Sequence, residues 1–373
     1  MLRTDESTTT LLTSSKLASL RKKMQEQTLD AMIITHLPNI RWLTNFSGSN
    51  AVLILTAEQS WLITDGRYSE QVKTEVEHAE PFITSDGYIE ELRAGKFLSQ
   101  GSSSVKPCRT GVQGDKLSYT AFQALKEALP GAELVPLISF CDAFIAVKDA
   151  DELSRMKQAV AITDKVFDKL LDMISPDVTE REVAAEISYW NKRFGGEKDA
   201  FDPIVASGER GALPHARPSN EKIRNNSLVV IDMGCVVGGY CSDQTRTVAV
   251  GKISDEAKKI YNLVLEAHLL GIRSAKPEMT GKELDGIVRE FFAAHGYGEA
   301  FGHSLGHSIG IEVHQSPIIG RKSETNIPAG SVITIEPGLY LAGKFGVRIE
   351  DMVYVTNDGA TPLPSAPKQL IEL

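Results

Sequence analysis

Residues Val229 to Thr247 read VVIDMGCVVGGYCSDQTRT and form the most informative segment for predicting the fold. Two apolar runs flank a pair of glycines, which is a pattern typical of an antiparallel hairpin. With the turn centred between Val237 and Gly238, Asp232 is predicted to lie directly opposite Asp243. Opposed residues have Cβ atoms about 4.5–5.5 Å apart, so two carboxylates repel there unless a cation lies between them.

The alternative for this pair is one aspartate in a turn and one on a solvated strand. Asp232, however, follows the apolar run Val229–Ile231, which is expected to be buried. An unpaired carboxylate in such a place is costly, so the run favours a cation site.

Downstream, three histidines fall within the segment FGHSLGHSIGIEVH, residues 301–314. A lone histidine is more often an ordinary core residue. Here His303, His307 and His314 lie among glycines, which allow close backbone approach, and neutral imidazole is a common ligand of divalent metals. The segment therefore favours a functional site.

Two glutamates end or interrupt apolar strands. Glu336 follows the run Val332–Ile335, and Glu350 follows Val347-Arg348-Ile349. Either one alone is best interpreted as an edge-strand glutamate paired with an arginine such as Arg348. Taken together, the candidate ligands carry four negative charges and one imidazole, which two divalent cations about 3.5–4 Å apart would balance. These ligands are Asp232, Asp243, His307, Glu336 and Glu350.

Such a centre implies metal-assisted hydrolysis of a carbonyl compound. Oxygen-rich coordination with one histidine suits Mn²⁺, our first choice, or Co²⁺ or Zn²⁺. A water that bridges the ions becomes a hydroxide nucleophile near neutral pH. His303, His314 and also His215, in Leu213-Pro214-His215-Ala216, could stabilise the oxyanion or move protons. The other histidines are interpreted as non-functional: His36, His78, His268 and His295.

The length of 373 residues exceeds that of one ordinary domain, so we predict two domains, 1–147 and 148–373. Asp149 and Glu152 form a capping-box pattern that opens a helix at the boundary. The first half mixes helices with short strands, including a hairpin of residues 51–56 and 60–64. Helices are predicted at 16–27, 88–97, 119–129, 179–194, 255–274 and 281–295, and strands within 227–250 and 331–356. The fold class is α+β.

Composition limits the partners. A formal net charge of −9 argues against nucleic acid. The sequence contains no apolar run of about 20 residues and no secretory leader pattern, so a cytoplasmic protein without a membrane anchor is expected. The four cysteines lack CxxC spacing and are expected to be reduced thiols rather than ligands of a structural zinc.

The five ligand segments resemble the creatinase/aminopeptidase family of metallopeptidases, in order and in context. The family has a pita-bread catalytic domain with an Asp, Asp, His, Glu, Glu dinuclear site. Ala206-Ser207-Gly208 and Leu213-Pro214-His215 resemble the family's loop with a substrate-side histidine. Residues 39–49 and 64–68 resemble the creatinase-like N-terminal domain of Xaa-Pro aminopeptidases and prolidases.

The resemblance implies cleavage of the bond before proline in a small peptide, a homodimer, and a manganese, cobalt or zinc requirement. The residues predicted to be catalytic are His215, His303, His314 and Arg348. One departure is Gln315, where relatives often have an acid, so the setting of His314 is expected to differ. Arg321 or Lys322 is hypothesised to bind the carboxylate of a dipeptide's proline.

Three alternatives stay open. Methionine aminopeptidases resemble the catalytic half but usually lack an N-terminal domain like residues 1–147. Creatinase shares the two-domain plan but works without metal and lacks the full ligand set. A peptide-binding module would have lost ligands, whereas all five are present here.

Overall fold

The computed structural model describes residues 6–98 and 108–373, with side chains from residue 16 onward. The chain divides into two compact units, Met1–Ile145 and Ala146–Leu373. Residues 1–5 lie outside the described residues, and the first helix begins at Glu6 rather than at the predicted residue 16. None of the helices in the described segments is both long and apolar enough to cross a membrane.

The first unit contains a six-stranded mixed sheet in the order β4-β3-β2-β1-β5-β6. Its strands are β1 (Ala31–Ile34), β2 (Val52–Thr56), β3 (Ser60–Asp65), β4 (Glu80–Thr84), β5 (Cys108–Gln113) and β6 (Ala132–Leu137). The helices described there are α1 (Glu6–Glu26), α2 (Leu37–Thr44), α3 (Val72–Glu75), α4 (Tyr88–Arg93) and α5 (Tyr119–Ala128). Helix α6 (Asp142–Ala146) reaches the boundary between the units. The predicted hairpin is confirmed, since Leu55 pairs with Ser60.

The helices of the second unit begin and end close to their predicted limits. They are α7 (Ala150–Leu171), α8 (Glu180–Arg193), α9 (Asp255–Ser274) and α10 (Gly281–Ala294). The capping box of Asp149 and Glu152 is confirmed, and Thr179 with Glu182 forms another at the start of α8. Each box satisfies backbone N–H groups that the first helical turn leaves without partners.

The strands of the second unit form several small sheets. They are β7 (Lys198–Asp199), β8 (Ile204–Ser207), β9 (Ser227–Met233), β10 (Cys235–Val237), β11 (Tyr240–Cys241), β12 (Gln244–Val250), β13 (Gly306–Ser308), β14 (Gln315–Ile319), β15 (Val332–Ile335), β16 (Gly338–Leu341), β17 (Phe345–Arg348), β18 (Asp351–Thr356) and β19 (Gly359–Pro362). The two sheets that carry most of the candidate ligands have the strand orders β12-β9-β8 and β14-β13-β15-β18-β19.

Two apolar cores fix these sheets against the helices. Val166 of α7 and Val183 of α8 pack in one core with Ile231 of β9, and all three side chains are fully buried. Ile260 of α9 and Val288 of α10 pack in the other core with residues of β15, β17 and β18. Removing this apolar surface from water stabilises the unit by about 25 cal/mol per Å².

The register predicted for the central hairpin is wrong by two residues. Asp232 pairs with Thr245, and Val237 pairs with Tyr240. The turn consists of Gly238 and Gly239, whose φ angles are 55° and 87°. Positive φ at both central positions favours glycine, so the turn centre lies one residue later than predicted. Because side chains alternate with a period of two, Asp232 and Asp243 still face the same side, as diagonal rather than opposed neighbours.

Candidate metal centre

All five predicted ligands line one cavity of about 510 Å³ in the second unit. Asp232 lies near the end of β9, Asp243 directly precedes β12, and His307 is the central residue of β13. Glu336 directly follows β15, and Glu350 directly precedes β18. Each acid therefore lies where an apolar strand begins or ends, which lets buried strands carry carboxylates to a common opening.

Three of these side chains are close enough to share one ion. Asp243, His307 and Glu350 each offer a donor atom, and these atoms lie within 4.8 Å of one another. Nε2 of His307 is 3.7 Å from Oδ2 of Asp243 and 3.5 Å from Oε1 of Glu336. His307 thus lies close to two carboxylates, and Asp232 lines the same cavity.

The protonation state of His307 suits a ligand. Its Nδ1 lies 3.1 Å from the carbonyl oxygen of Ser308, which can only accept, so Nδ1 carries the hydrogen. This leaves the Nε2 lone pair directed at the acids. Burial, followed by the neighbouring His314, lowers the pKa of His307 to about 4. The imidazole is therefore neutral near pH 7, as metal ligation requires.

The carboxylates are electrostatically crowded. Burial first, and Glu350 next, raises the pKa of Asp243 well above its usual range, and the same two causes act on Glu336. Burial and the Asp232 charge raise the pKa of Glu350 to about 8. Buried like charges at such spacing are unfavourable unless cations neutralise them.

Asp232 shows most directly that the donor set fits a metal. Its Oδ2 accepts a 2.6 Å hydrogen bond from Nη2 of Arg348. Its Oδ1 is buried and has no hydrogen-bond partner among the described residues. A buried acceptor without a partner costs about 1–3 kcal/mol, and a cation at that oxygen would remove the penalty.

Arg348 connects the acids to the rest of the site. Its Nε donates to Oγ1 of Thr245 over 3.0 Å, and that hydroxyl donates to Glu350 over 2.6 Å. Its Nη1 donates to the hydroxyl of Tyr340 over 2.8 Å. One buried guanidinium thus orients two of the candidate ligands, Asp232 directly and Glu350 through Thr245.

The four predicted catalytic residues, His215, His303, His314 and Arg348, line the same cavity. His303 donates from Nδ1 to its neighbour Ser304 over 2.7 Å and faces the Tyr340 hydroxyl with Nε2 at 2.9 Å. Burial, followed by the Arg348 charge, lowers the pKa of His303 to about 4. His215 and His314 are exposed and open onto the cavity.

Three residues of the site were not predicted from the sequence. Tyr340 and Thr245 carry no motif of their own and become visible only through their contacts with Arg348. His268, interpreted as non-functional, is fully buried on α9. Its ring nitrogens lie 3.0 Å from the carbonyl oxygen of Ile335 and 3.1 Å from Oδ2 of Asp351. It therefore bridges the residues next to Glu336 and Glu350.

Arg321 and Lys322, which were hypothesised to bind the carboxylate of a dipeptide's proline, do not line the cavity of the candidate ligands. Arg321 and Lys322 line a second cavity of about 520 Å³. This cavity shares His303, Ser304 and Ile318 with the first. Gln315 is buried, and its Oε1 accepts from Nζ of Lys148 over 3.4 Å.

Carboxylates at strand ends beside a neutral histidine are typical of a metal-dependent hydrolase. Comparison with known families supports that class. Residues 154–357 match metallopeptidase family M24, and residues 16–143 match the creatinase/prolidase N-terminal domain. The chain belongs to metallopeptidase family M24. The predicted architecture, a creatinase-like N-terminal domain followed by a pita-bread catalytic domain, is thereby confirmed.

Individual relatives cover nearly the whole chain. An uncharacterized peptidase of Bacillus subtilis is 38% identical over 96% of this chain and 100% of its own length. A solved Xaa-Pro dipeptidase from Bacillus anthracis has a TM-score of 0.91 at 37% identity, covering 97% of this chain and 100% of that one. A solved X-Pro aminopeptidase from Thermotoga maritima has a TM-score of 0.84 at 35% identity, covering 93% and 98%.

Proposed function

We propose that this chain is a two-metal exopeptidase that hydrolyses the peptide bond between an N-terminal residue and a following proline. The observation that carries the proposal is the shared cavity of four acids and one neutral histidine, in which Oδ1 of Asp232 is buried and no described residue hydrogen-bonds to it. The preference for proline is supported by the names of similar proteins, a dipeptidase and an aminopeptidase that both act on Xaa-Pro bonds.

In this proposal the ions are held by Asp232, Asp243, His307, Glu336 and Glu350. Two divalent ions there, with Mn²⁺ preferred, would polarise the scissile carbonyl and acidify a water between them. The protein keeps the ligands in place: Arg348 holds one oxygen of Asp232, and the Thr245 hydroxyl holds one oxygen of Glu350. Each acid thereby keeps a free oxygen.

Side chains around the ions would handle substrate and protons. The chain of hydrogen bonds from Arg348 to the Tyr340 hydroxyl and on to His303 places a donor network beside Glu336. In this proposal the Tyr340 hydroxyl, held by Arg348, would exchange its hydrogen bond to Nε2 of His303 for one to the substrate carbonyl oxygen as negative charge develops there. His215 and His314, which are exposed to the cavity, are proposed to contact the substrate.

The length of the preferred peptide is proposed to depend on the second cavity. Because Arg321 and Lys322 line the second cavity, this proposal replaces the hypothesis that they bind the carboxylate of a dipeptide's proline. A dipeptide would fit the first cavity alone, whereas the C-terminal part of a longer peptide would pass His303 and Ser304 toward Arg321 and Lys322. Their positive charges would attract its terminal carboxylate. Changing both residues to alanine should raise KM for Xaa-Pro-Yaa more than for Xaa-Pro; an unchanged ratio would remove their role.

A substrate panel tests the proposal. The metal-free protein is loaded with Mn²⁺ and assayed on Xaa-Pro dipeptides, Xaa-Pro-Yaa peptides, methionyl peptides, matched Xaa-Ala peptides and creatine. Preferential cleavage before proline is expected. If the protein cleaves only methionyl peptides, or only creatine, that activity would replace the proposed function. We also propose that the chain forms a homodimer, and analytical ultracentrifugation of the same sample tests this.

A further inference from the structure

Glu180 is a buried carboxylate outside the candidate metal centre whose contacts all lead to one loop. It is the first residue of α8, and its side chain is fully buried. Oε1 accepts from the backbone N–H of Ser207 over 2.8 Å. Oε2 accepts from the backbone N–H of Ser219 over 2.9 Å and from its hydroxyl over 2.8 Å. The two backbone donors lie on either side of His215 in the sequence.

An arginine completes this junction. Nε of Arg210 lies 2.9 and 3.1 Å from the two oxygens of Glu180, which compensates the buried charge. Nη2 of the same guanidinium donates to the carbonyl oxygen of Arg217 over 2.6 Å. Arg217 is two residues after His215, so the ion pair reaches into the middle of the loop.

The far side of the loop meets the candidate active site. The carbonyl oxygen of Pro214 accepts from Nη1 of Arg348 over 3.2 Å. Gly211 lies against β17, where a Cβ on Gly346 would be only 2.0 Å from the Gly211 carbonyl oxygen. The loop is therefore held between Glu180 on one side and the strand that carries Arg348 on the other, and His215 projects between these anchors.

We infer that Glu180 is a positioning residue, which places His215 against the substrate by tying both ends of its loop to the start of α8. The inference rests on the proposed function, because His215 is assigned its substrate contact there. Misplacement of a catalytic group by about 1 Å can cost on the order of 10²-fold in rate, so a buried anchor of this kind affects catalysis without touching substrate.

The first test is a double-mutant cycle of Glu180→Gln and His215→Ala, assayed on an Xaa-Pro peptide. Glu180→Gln is expected to lower kcat/KM by about 10- to 100-fold in the wild-type background and by less than about twofold in the His215→Ala background. A loss of the same size in both backgrounds would overturn the inference. The metal content of the variants should equal that of the wild type.

The same helix turn offers a matched control. Glu182 also accepts from a backbone N–H, that of Thr179, but is exposed and does not contact the loop. Glu182→Gln removes an equal charge at the same helix end and should leave kcat/KM unchanged. If Glu180→Gln does not fold, Ser219→Ala removes one hydrogen bond to Glu180 and should show a loss of about threefold that disappears without His215.

Hydrogen exchange on the metal-free protein gives a readout that needs no activity. The amides of Ser207 and Ser219 are expected to exchange about tenfold faster in Glu180→Gln, with no change in Glu182→Gln. Unchanged exchange at both amides would overturn the inference. A wild-type chain that cleaves no Xaa-Pro peptide overturns the proposed function alone, and these exchange rates then decide whether Glu180 holds the loop.

Discussion

Arg348 donates from Nη2 to Oδ2 of Asp232 over 2.6 Å, and the other oxygen of that aspartate is buried without a hydrogen-bond partner in the part of the chain that the structure describes. The two oxygens therefore differ in their surroundings: one is held by the protein, and the other is the oxygen proposed to bind an ion. Arg348 also reaches Thr245 and Tyr340, so a single guanidinium sets the geometry of the acids and of the proton-donating groups. Its planar, forked donors suit several partners at once.

Arg348→Lys should separate charge from geometry. Lysine keeps the positive charge but cannot reach all these acceptors, so Asp232 and Tyr340 lose their common anchor. We expect kcat/KM for Xaa-Pro peptides to fall by about 10²-fold. Steady-state kinetics with Mn²⁺ measure this loss. Arg109→Lys, at an exposed pair with Glu133, is the control and should show wild-type kinetics, and full activity in Arg348→Lys would contradict the account.

Tyr340→Phe removes the hydroxyl between Arg348 and His303 without changing the shape of the ring. We expect kcat to fall by about tenfold and the free energy of unfolding by about 1 kcal/mol. Burial raises the pKa of Tyr340 to about 12, so the hydroxyl stays protonated in ordinary assays. The variant and the wild type should thus have pH–rate profiles of the same shape between about pH 6 and pH 10. If the wild-type pH–rate profile has a limb in this range that the Tyr340→Phe profile lacks, the hydroxyl titrates there, and its proposed role as a protonated donor is refuted.

Asp243→Asn should stabilise the metal-free protein at alkaline pH. Burial and Glu350 raise the folded-state pKa of Asp243 above its unfolded value, so the charge opposes folding. The penalty is fully present above the folded pKa and is lost as pH falls toward the unfolded value of about 4. Urea unfolding of chelated samples should show the variant's stability advantage growing as the pH rises above the unfolded pKa of about 4.

Added metal should make the wild type more stable than Asp243→Asn, the reverse of their order without metal. With Mn²⁺ added, the wild type gains binding free energy through Asp243 that the asparagine variant cannot match. Equal stability of the two proteins at every pH, with and without metal, would show that Asp243 is not part of a crowded acidic site.

His268→Ala should lower both the stability of the protein and its affinity for metal, although His268 is not a candidate ligand. The side chain is fully buried and bridges the Ile335 carbonyl and Asp351, so alanine leaves a cavity and unsatisfied acceptors. We expect a loss of about 2–4 kcal/mol in the free energy of unfolding and weaker Mn²⁺ binding by calorimetry. His295→Ala, at an exposed position at the end of α10, is the control; equal effects of both changes would exclude a specific role for His268.

Sequence reasoning succeeded where a local rule applied. The capping box of Asp149 and Glu152 requires only a helix start, and the hairpin of β2 and β3 requires only alternating apolar runs with a short turn. The five candidate ligands could also be named from local patterns. Asp232, Glu336 and Glu350 follow apolar runs, Asp243 was expected opposite Asp232 in a hairpin, and His307 lies in a glycine-rich segment with two other histidines. Their arrangement in one cavity agrees with that expectation.

Where a contact joins distant parts of the chain, sequence reasoning failed. The register of Asp232 depended on which residues form the turn, and a shift of one position replaced Asp243 by Thr245 as its partner. His268 had no visible partner because Asp351 lies far away in sequence. Glu180 was not singled out for the same reason, since its value depends on a loop that folds back to the helix start.

The central claim is that five side chains hold two divalent ions that the reaction needs. The most direct measurement is metal stoichiometry by elemental analysis of protein purified without chelator and dialysed against Mn²⁺, followed by Xaa-Pro peptidase assays on the same samples. We predict about two ions per chain in the wild type, fewer in Asp243→Ala, and activity in proportion to occupancy. Full peptidase activity in the metal-stripped protein or in Asp243→Ala would contradict the account.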